Sequence, residues 1–229
     1  MTLDQKQDLI DYLSGIINEQ RCQLLQTVLS QRTRYLTVVL EDIYYPQNAS
    51  AVIRTCECLG IQELHVIENH HQYRLNPDVV RGASKWIELI RHRQADRNNT
   101  RACLERLQGD NYRIVAMMPG QDALELEALP IDDKIAICFG TEESGLSEAV
   151  VEMADYRVRI PMNGFTRSFN LSVSAGISLY QLAARVRRSS VDWQLELADA
   201  ADLYIDWLVK STPTGDVLMQ RYLEQHAAG

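Results

Sequence analysis

Three short segments of this 229-residue chain carry side chains able to do chemistry at spacings that ask for an explanation. In the first, NASAVIRTCECLGI (Asn48–Ile61), one arginine stands among small and apolar residues. At 100° per residue on a helix, Ala49, Val52, Ile53, Cys56 and Leu59 share one face, while Arg54 points away from it among Ser50, Ala51, Glu57 and Cys58. A solvated arginine paired with Glu57 would account for Arg54 and would stabilise the helix by only a few tenths of a kcal/mol. The small neighbours allow a second reading, in which another chain or a ligand approaches closely. In the second segment, FGTEESGLS, Gly140 and Gly145 bound a loop holding Glu142, and glycines let a backbone approach its neighbour without a Cβ in the way. The third, IPMNGFTRSFNLSVS, places Arg167, Ser168 and Asn170 just ahead of a helix rich in small residues, where serine and asparagine also serve as ordinary caps.

These residues need a frame. Apolar positions at helical spacing run from about Leu3 to Leu29 with a break near Ser14-Gly15. From Tyr35 the run YLTVVLEDI begins an alternation of strands and helices. Strands are predicted at Leu64–Ile67, Trp86–Leu89, Tyr112–Met117, Ile135–Phe139 and Arg157–Ile160, and helices at Ser50–Leu59, Thr100–Leu107, Ser147–Met153 and Asn170–Arg187. Pro46 and Asn48 are read as the start of the first of these helices, with the Asn48 side chain as its cap. Short apolar strands alternating with helices predict an α/β fold, a mostly parallel sheet with helices on both faces. Trp193–Ala228 reads as two more helices split at STPTGD. The expected organisation is an N-terminal helical extension (1–32), a core (33–188) and a C-terminal helical tail (189–229). The FGTEES loop, between a strand and a helix, lies where α/β sheets bind ligands. Neither GxxxxGK[ST] nor GxGxxG is present, so it is not a phosphate or dinucleotide loop of those types.

A net charge of −8 argues against a broadly basic nucleic-acid binder. Much of it is terminal: residues 189–229 hold seven acidic side chains against Lys210 and Arg221, so the middle is near neutral and its arginines can form a local patch. The five cysteines show no CxxC pair or secreted-scaffold spacing, which fits reduced thiols in a cytoplasm. Cys56 and Cys58 cannot face one way on a helix, and His70-His71 are read as loop residues, so no metal is expected. No apolar run reaches the ~18 residues of a membrane span, and the first residues are amphipathic and unlike a leader. A soluble, cytoplasmic protein is expected.

Taken together, the three segments resemble the motifs of the SpoU branch of the SPOUT family of RNA 2′-O-ribose methyltransferases, and most of all its tRNA guanosine-2′-O-methyltransferases. Asn48 to Thr55 matches N-x-x-x-x-x-R-T, Gly140 to Leu146 matches G-x-E-x-x-G-[IL], and Ile160 to Val173 matches I-P-M-x-G…S-x-N-[LV]-S-V. The likeness runs from about Thr37 to Arg187. It implies an α/β-knot (SPOUT) fold with a C-terminal trefoil knot, a rare exception to unknotted folding. It also implies a homodimer and S-adenosyl-L-methionine (SAM) bent in the knot against Met117, Gly140, Ile160 and Phe169, the last replacing a leucine common in the family.

By the same resemblance Arg54 is catalytic, Asn48 orients it, Glu142 holds the local loop, and Ser168 and Asn170 shape the site. A ribose 2′-hydroxyl must attack the sulfonium methyl in line and lose its proton. Guanidinium groups, with pKa values above about 12, are poor bases, so orienting phosphate and hydroxyl is the role expected of Arg54. RNA contacts are expected from Arg32, Arg34, Arg81, Lys85, Arg167 and the Arg185, Arg187, Arg188 cluster, with the terminal helices placing a tRNA. The expected reaction is SAM-dependent methylation of a guanosine in the tRNA D-loop. The alternatives are ribosomal RNA, another tRNA position, or a catalytically silent dimeric RNA-binding protein.

Overall fold

The computed structural model describes residues 1–226. Residues 33–193 form one compact unit around a seven-stranded sheet. Its strands are β1 (Leu36–Glu41), β2 (Glu63–Ile67), β3 (Glu88–His92), β4 (Tyr112–Met117), β5 (Leu124–Glu125), β6 (Lys134–Phe139) and β7 (Tyr156–Arg159). They lie in the order β3-β2-β1-β6-β4-β7-β5, and all six pairings are parallel. β1 and β6 are near-continuous apolar runs because a parallel sheet buries both faces.

The two-residue period of a strand splits those runs between two cores. Val38, Leu40 and Ile137 face α3 (Pro46–Cys58) and α7 (Leu171–Arg188). Val39, Ala136 and Cys138 face α5 (Asn99–Gly109) and α6 (Glu148–Met153). On α3 the expected apolar face packs inward: Ala49, Val52, Ile53 and Cys56 are buried and Leu59 packs against the same core. Burial pushes the Cys56 and Cys138 thiols well up from their ordinary value, so both are inert packing groups.

Several local expectations change. Asn48 is not the helix cap: Pro46 occupies the first helical position after Tyr45, because proline's fixed φ suits that place, and Asn48 lies inside the first turn. Ser50 is fully buried, accepting from the Asn76 amide at 2.9 Å, and so leaves the Arg54 face. The strand expected at Trp86–Leu89 begins two residues later, because Ala83–Lys85 form a 3-10 turn closed by Trp86 N–H on the Ala83 carbonyl at 3.0 Å. The four-residue α4 (Pro77–Val80) and the two-residue β5 carry too little pattern to be seen in sequence.

The second compact unit joins Met1–Arg32 with the chain from Gln194 on. It contains α1 (Leu3–Ser14), α2 (Glu19–Leu29), α8 (Leu197–Ser211) and α9 (Gly215–His226). Leu9, Leu13, Leu25, Leu203, Trp207 and Leu208 form its interior, and Lys6 pairs with Asp202 at 2.7 Å. The two ends of the chain thus make one helical unit, and the core extends five residues past Arg188 to Trp193. The part of the expected second terminal helix beyond residue 226 lies outside the described residues. No helix among the described residues is long and apolar enough to cross a membrane.

Candidate active site

β1 and β6 lie side by side where the strand order reverses, with β2 and β3 beyond one and β4, β7 and β5 beyond the other. Parallel sheets bind ligands outside the carboxyl ends of the strands at such a point. The loop after β6 is built by its glycines. A Cβ on Gly140 would fall 2.5 Å from the Leu146 amide nitrogen and against the Gly145 carbonyl, so only glycine fits. Thr141 and Gly145 then exchange both backbone hydrogen bonds, at 3.0 and 3.1 Å, and Gly145 takes φ +71°. The Thr141 and Ser144 hydroxyls close the turn at 2.7 Å.

This turn carries Glu142 to Asn48, whose Nδ2 donates to Glu142 Oε1. The Asn48 amide oxygen accepts from Asn170 Nδ2 at 3.3 Å. Asn170 is the N-cap of α7, and its own oxygen accepts from the Ser172 amide at 2.9 Å and hydroxyl at 2.6 Å. One residue from each of the three segments therefore meets in a single hydrogen-bonded chain, Glu142–Asn48–Asn170. Asn48 is buried and Glu142 and Asn170 are exposed, so the chain leads from the protein to its surface.

Beside Asn170 opens a cavity of about 540 Å³ whose lining includes Met117, Gly120, Ile160, Phe165, Ser168 and Phe169. Its size is that of a small-molecule site, which typically spans about 300–1,000 Å³. Three of the four expected cofactor contacts, Met117, Ile160 and Phe169, line it together with Ser168 and Arg167; Gly140 does not. Sequence reasoning missed Met118, the Pro119-Gly120 turn and Phe165, which also line it. The Pro-Gly pair one residue after β4 was the available signal.

Arg54 stands elsewhere. It is exposed in a shallow groove of about 440 Å³ with Ala51, Thr55, Cys58, Gly176 and Tyr180. The alternative pairing with Glu57 is not formed, and Arg54 makes no ion pair among the described residues. The groove walls are the small residues of α3 and α7, and α7 also exposes Val173, Ile177 and Tyr180.

Four of the eight cations expected at RNA are occupied by the protein itself. Arg32 is buried, with its guanidinium 5.1 Å from the Trp207 ring centre. Arg34 bridges Glu63 and Glu88, each at 2.7 Å. Arg185 donates to the Leu126 and Leu129 carbonyls at 3.0 and 2.5 Å. Arg187 donates to the Leu59 carbonyl at the end of α3 at 2.7 Å and stacks on Trp193, and burial lowers its pKa. Their charges serve carbonyls, carboxylates and rings, the cohesion of the fold. Arg81, Arg167 and Arg188 are exposed, and so is Lys85, whose ammonium lies 5.0 Å from the Trp86 ring centre.

Two polar networks brace the sheet, the first at its carboxyl edge. Glu41, at the end of β1, accepts from the Ser147 amide (2.9 Å) and hydroxyl (2.7 Å) and from the Thr100 hydroxyl (2.6 Å). It thereby ties the helix after the Glu142 loop to the start of α5. Across β2 and β3, His65 Nδ1 lies 3.0 Å from His92 Nε2, and His65 Nε2 lies 2.6 Å from Glu63. Burial, reinforced by His65, pushes His92 down to about 4. Burial acts to raise the Glu63 carboxyl, but the His65 hydrogen bond and the His65 and Arg34 charges outweigh it and leave it lowered. Cys103 lies with the histidines, all three offering ligand atoms within 4.8 Å of one another. The imidazole nitrogens that face each other are already engaged.

A parallel α/β sheet with two loops joined across its central strands, and a cavity opening beside them, defines a ligand-binding α/β protein of the switch-point kind. The sequence profile of the SpoU rRNA Methylase family matches residues 35–180, and the chain belongs to that family. It is 44% identical over 198 residues to the tRNA (guanosine(18)-2′-O)-methyltransferase of Borreliella burgdorferi, across 86% of this chain and 88% of that protein. To the enzyme of the same name from Escherichia coli it is 27% identical, across 76% and 73%. A solved structure, the TrmH/SpoU tRNA modifying enzyme of A. aeolicus, superposes with a TM-score of 0.72 at 26% identity, across 85% of this chain and 98% of that one.

Proposed function

We propose that this chain is a SAM-dependent RNA 2′-O-methyltransferase acting on a guanosine of tRNA. One observation carries the reading: the hydrogen-bonded chain Glu142–Asn48–Asn170, in which all three motifs converge beside a cavity of cofactor size. The methionines, Ile160 and Phe169 fit an adenine and an aliphatic arm, and Ser168 and Arg167 offer polar contacts. When bound, SAM supplies an electrophilic sulfonium methyl group for the ribose oxygen. Arg54 orients the substrate phosphate and the 2′-hydroxyl, fixing geometry and developing charge without taking the proton itself. Asn48 and Glu142 hold the first turn of α3 against the loop after β6, and Asn170 fixes the start of α7 beside the cavity.

The same reading includes a trefoil knot, supported by β6 lying between β1 and β4 and by residues 160–169 sharing a cavity with 117–121. It includes a homodimer formed on the α3–α7 face, supported by exposed Val173, Ile177 and Tyr180 and by the small residues that leave the Arg54 groove open. A second copy there would bring groups to Arg54 that the single chain does not. The helical unit of the two chain ends assists tRNA placement, and the reduced thiols suit a cytoplasm.

The test is to incubate the protein with SAM and unmodified tRNA, digest the RNA and map the methylated nucleoside by mass spectrometry. A 2′-O-methylguanosine in the D-loop is the expected product. Methylation of ribosomal RNA alone, or of another tRNA position, replaces the substrate; no transfer to any RNA removes the enzyme.

A further inference from the structure

Beyond the cavity and the Arg54 groove, the carboxyl edge of β1, β2 and β3 carries an exposed surface with the makings of a nucleotide subsite. Its aromatic part follows β1. Tyr44 is 61% exposed, lies edge-on to Tyr45 with ring centres 5.0 Å apart, and lies edge-on to His71 at 5.1 Å. Its basic part is the segment RHRQADRNNTR (residues 91–101), with four arginines and one aspartate. Glu68 takes Arg91 at 2.6 Å and Glu152 takes Arg101 at 2.5 Å, while Arg93 and Arg97 make no ion pair among the described residues and Arg97 donates to the Gln94 amide oxygen at 3.2 Å. His70, next in sequence to His71, shares a cavity of about 610 Å³ with Arg93 and Arg97, so the two parts are continuous.

The surface is held rigidly from beneath. The Asp42 carboxylate accepts from the consecutive amides of Asn69, His70 and His71 at 2.7, 2.8 and 3.3 Å. Asn99 accepts from the Gln94 amide at 2.8 Å, and Asn69 donates to Thr100 at 2.9 Å. Thr100 ends on Glu41, which also holds Ser147. Both exposed loops are thereby fixed to the same strand that leads to Asn48. Aromatic faces beside arginines that make no ion pair are what single-stranded nucleic acid requires, stacking for its bases and cations for its phosphates.

We propose that Tyr44, His71, Arg93 and Arg97 form an RNA subsite that takes an unpaired nucleotide of the substrate, its base on Tyr44 and His71 and a phosphate at Arg93 and Arg97. This rests on the RNA-substrate reading above. The subsite lies on the β1–β2–β3 side of the sheet, away from the cavity lined by Phe169; Glu68, already held by Arg91, and Asp96 share the cavity with Arg93 and Arg97.

The test is a fluorescence-anisotropy titration of unmodified tRNA over a series of salt concentrations, using the full-length protein, Arg93→Ala/Arg97→Ala, Tyr44→Ala and Tyr44→Phe. Calorimetric SAM affinity and the melting temperature serve as folding controls. The double variant is expected to raise the tRNA Kd about tenfold and to flatten the log–log salt slope by roughly 1.4–1.8, the release of counterions from two phosphates. Tyr44→Ala is expected to raise Kd about tenfold at unchanged salt slope, and Tyr44→Phe to restore it, the signature of stacking. Unchanged Kd and slope in the double variant overturn the subsite, as does a fully duplex RNA that competes as well as an unpaired one. A wild-type protein that binds tRNA through these residues and transfers no methyl group upholds the subsite and refutes the enzymatic reading instead.

Discussion

Replacing Gly140 by alanine probes whether the turn after β6 is what delivers Glu142 to Asn48. The new methyl group would meet the Leu146 amide nitrogen at 2.5 Å and the Gly145 carbonyl more closely, and both are backbone atoms that cannot rotate aside. Restoring a normal contact distance requires the loop to retreat by roughly 1 Å. That retreat stretches the two Thr141–Gly145 hydrogen bonds, now 3.0 and 3.1 Å, beyond useful length. Losing them destabilises by about 1 kcal/mol each, and the residual overpacking adds about 1–3 kcal/mol, so a total of roughly 3–5 kcal/mol is expected. If the loop opens instead, the stability loss shrinks and the Glu142 carboxylate leaves Asn48; a misplacement of about 1 Å then costs on the order of 10²-fold in turnover. Gly145→Ala is the internal control. It has open space around its Cβ but φ +71°, so it is expected to cost only about 1–2 kcal/mol and for a different reason. Urea unfolding of the two variants, run beside radiolabelled methyl transfer to tRNA, separates these effects. A Gly140→Ala protein with wild-type stability and turnover, or a Gly145→Ala protein that is the more damaged of the two, would refute the steric argument.

Arg54→Ala is expected to lower methyl transfer by about 10²–10³-fold with SAM affinity retained, as for the loss of one group that orients developing charge; transfer at the wild-type rate would remove Arg54 from the chemistry. In a double-mutant cycle on Asn48→Ala and Glu142→Ala, a coupling of about 1–2 kcal/mol in stability is expected for the charge-assisted contact, and strict additivity would deny it. Stability should also fall in acid. The folded-state pKa of His92 is depressed to about 4 from an ordinary 6.5, so the unfolded chain binds the extra proton first and stability is lost as pH drops from about 6.5 toward 4. The lowered Glu63 carboxyl adds a loss that begins below its ordinary value of 4.5. Urea midpoints at several pH values should show a slope that His92→Gln flattens in the upper part of this window.

The β1, β4 and β6 runs were legible because a parallel strand buried on both faces must be largely apolar, and the apolar face of α3 was legible because helical periodicity dictates it. Asn48 was misread as a cap because local sequence cannot show that Tyr45 and Pro46 already start the helix, nor that Glu142 waits across the sheet. Arg32, Arg34, Arg185 and Arg187 look like solvated charges in the sequence. Their partners, a tryptophan, two glutamates and several carbonyls, are brought to them only by tertiary packing. Arg93 and Arg97 escaped notice for the converse reason: the four arginines that run from the end of β3 to the start of α5 gain meaning only when ion pairs with Glu68 and Glu152 are seen to take two of them.

The central position of β6 also governs how the chain must be made. Leu36 of β1 pairs with Ile135 of β6, and β4 pairs with the other edge of that strand. A nascent chain leaving the ribosome therefore carries β1 as an apolar edge while about a hundred more residues are synthesised, roughly 5–20 s at ordinary rates. β4 emerges with its own open edge until the same strand arrives. Such exposed edges invite pairing with other chains. With its most buried contacts spanning such sequence distance, the domain should refold slowly and lose yield as concentration rises.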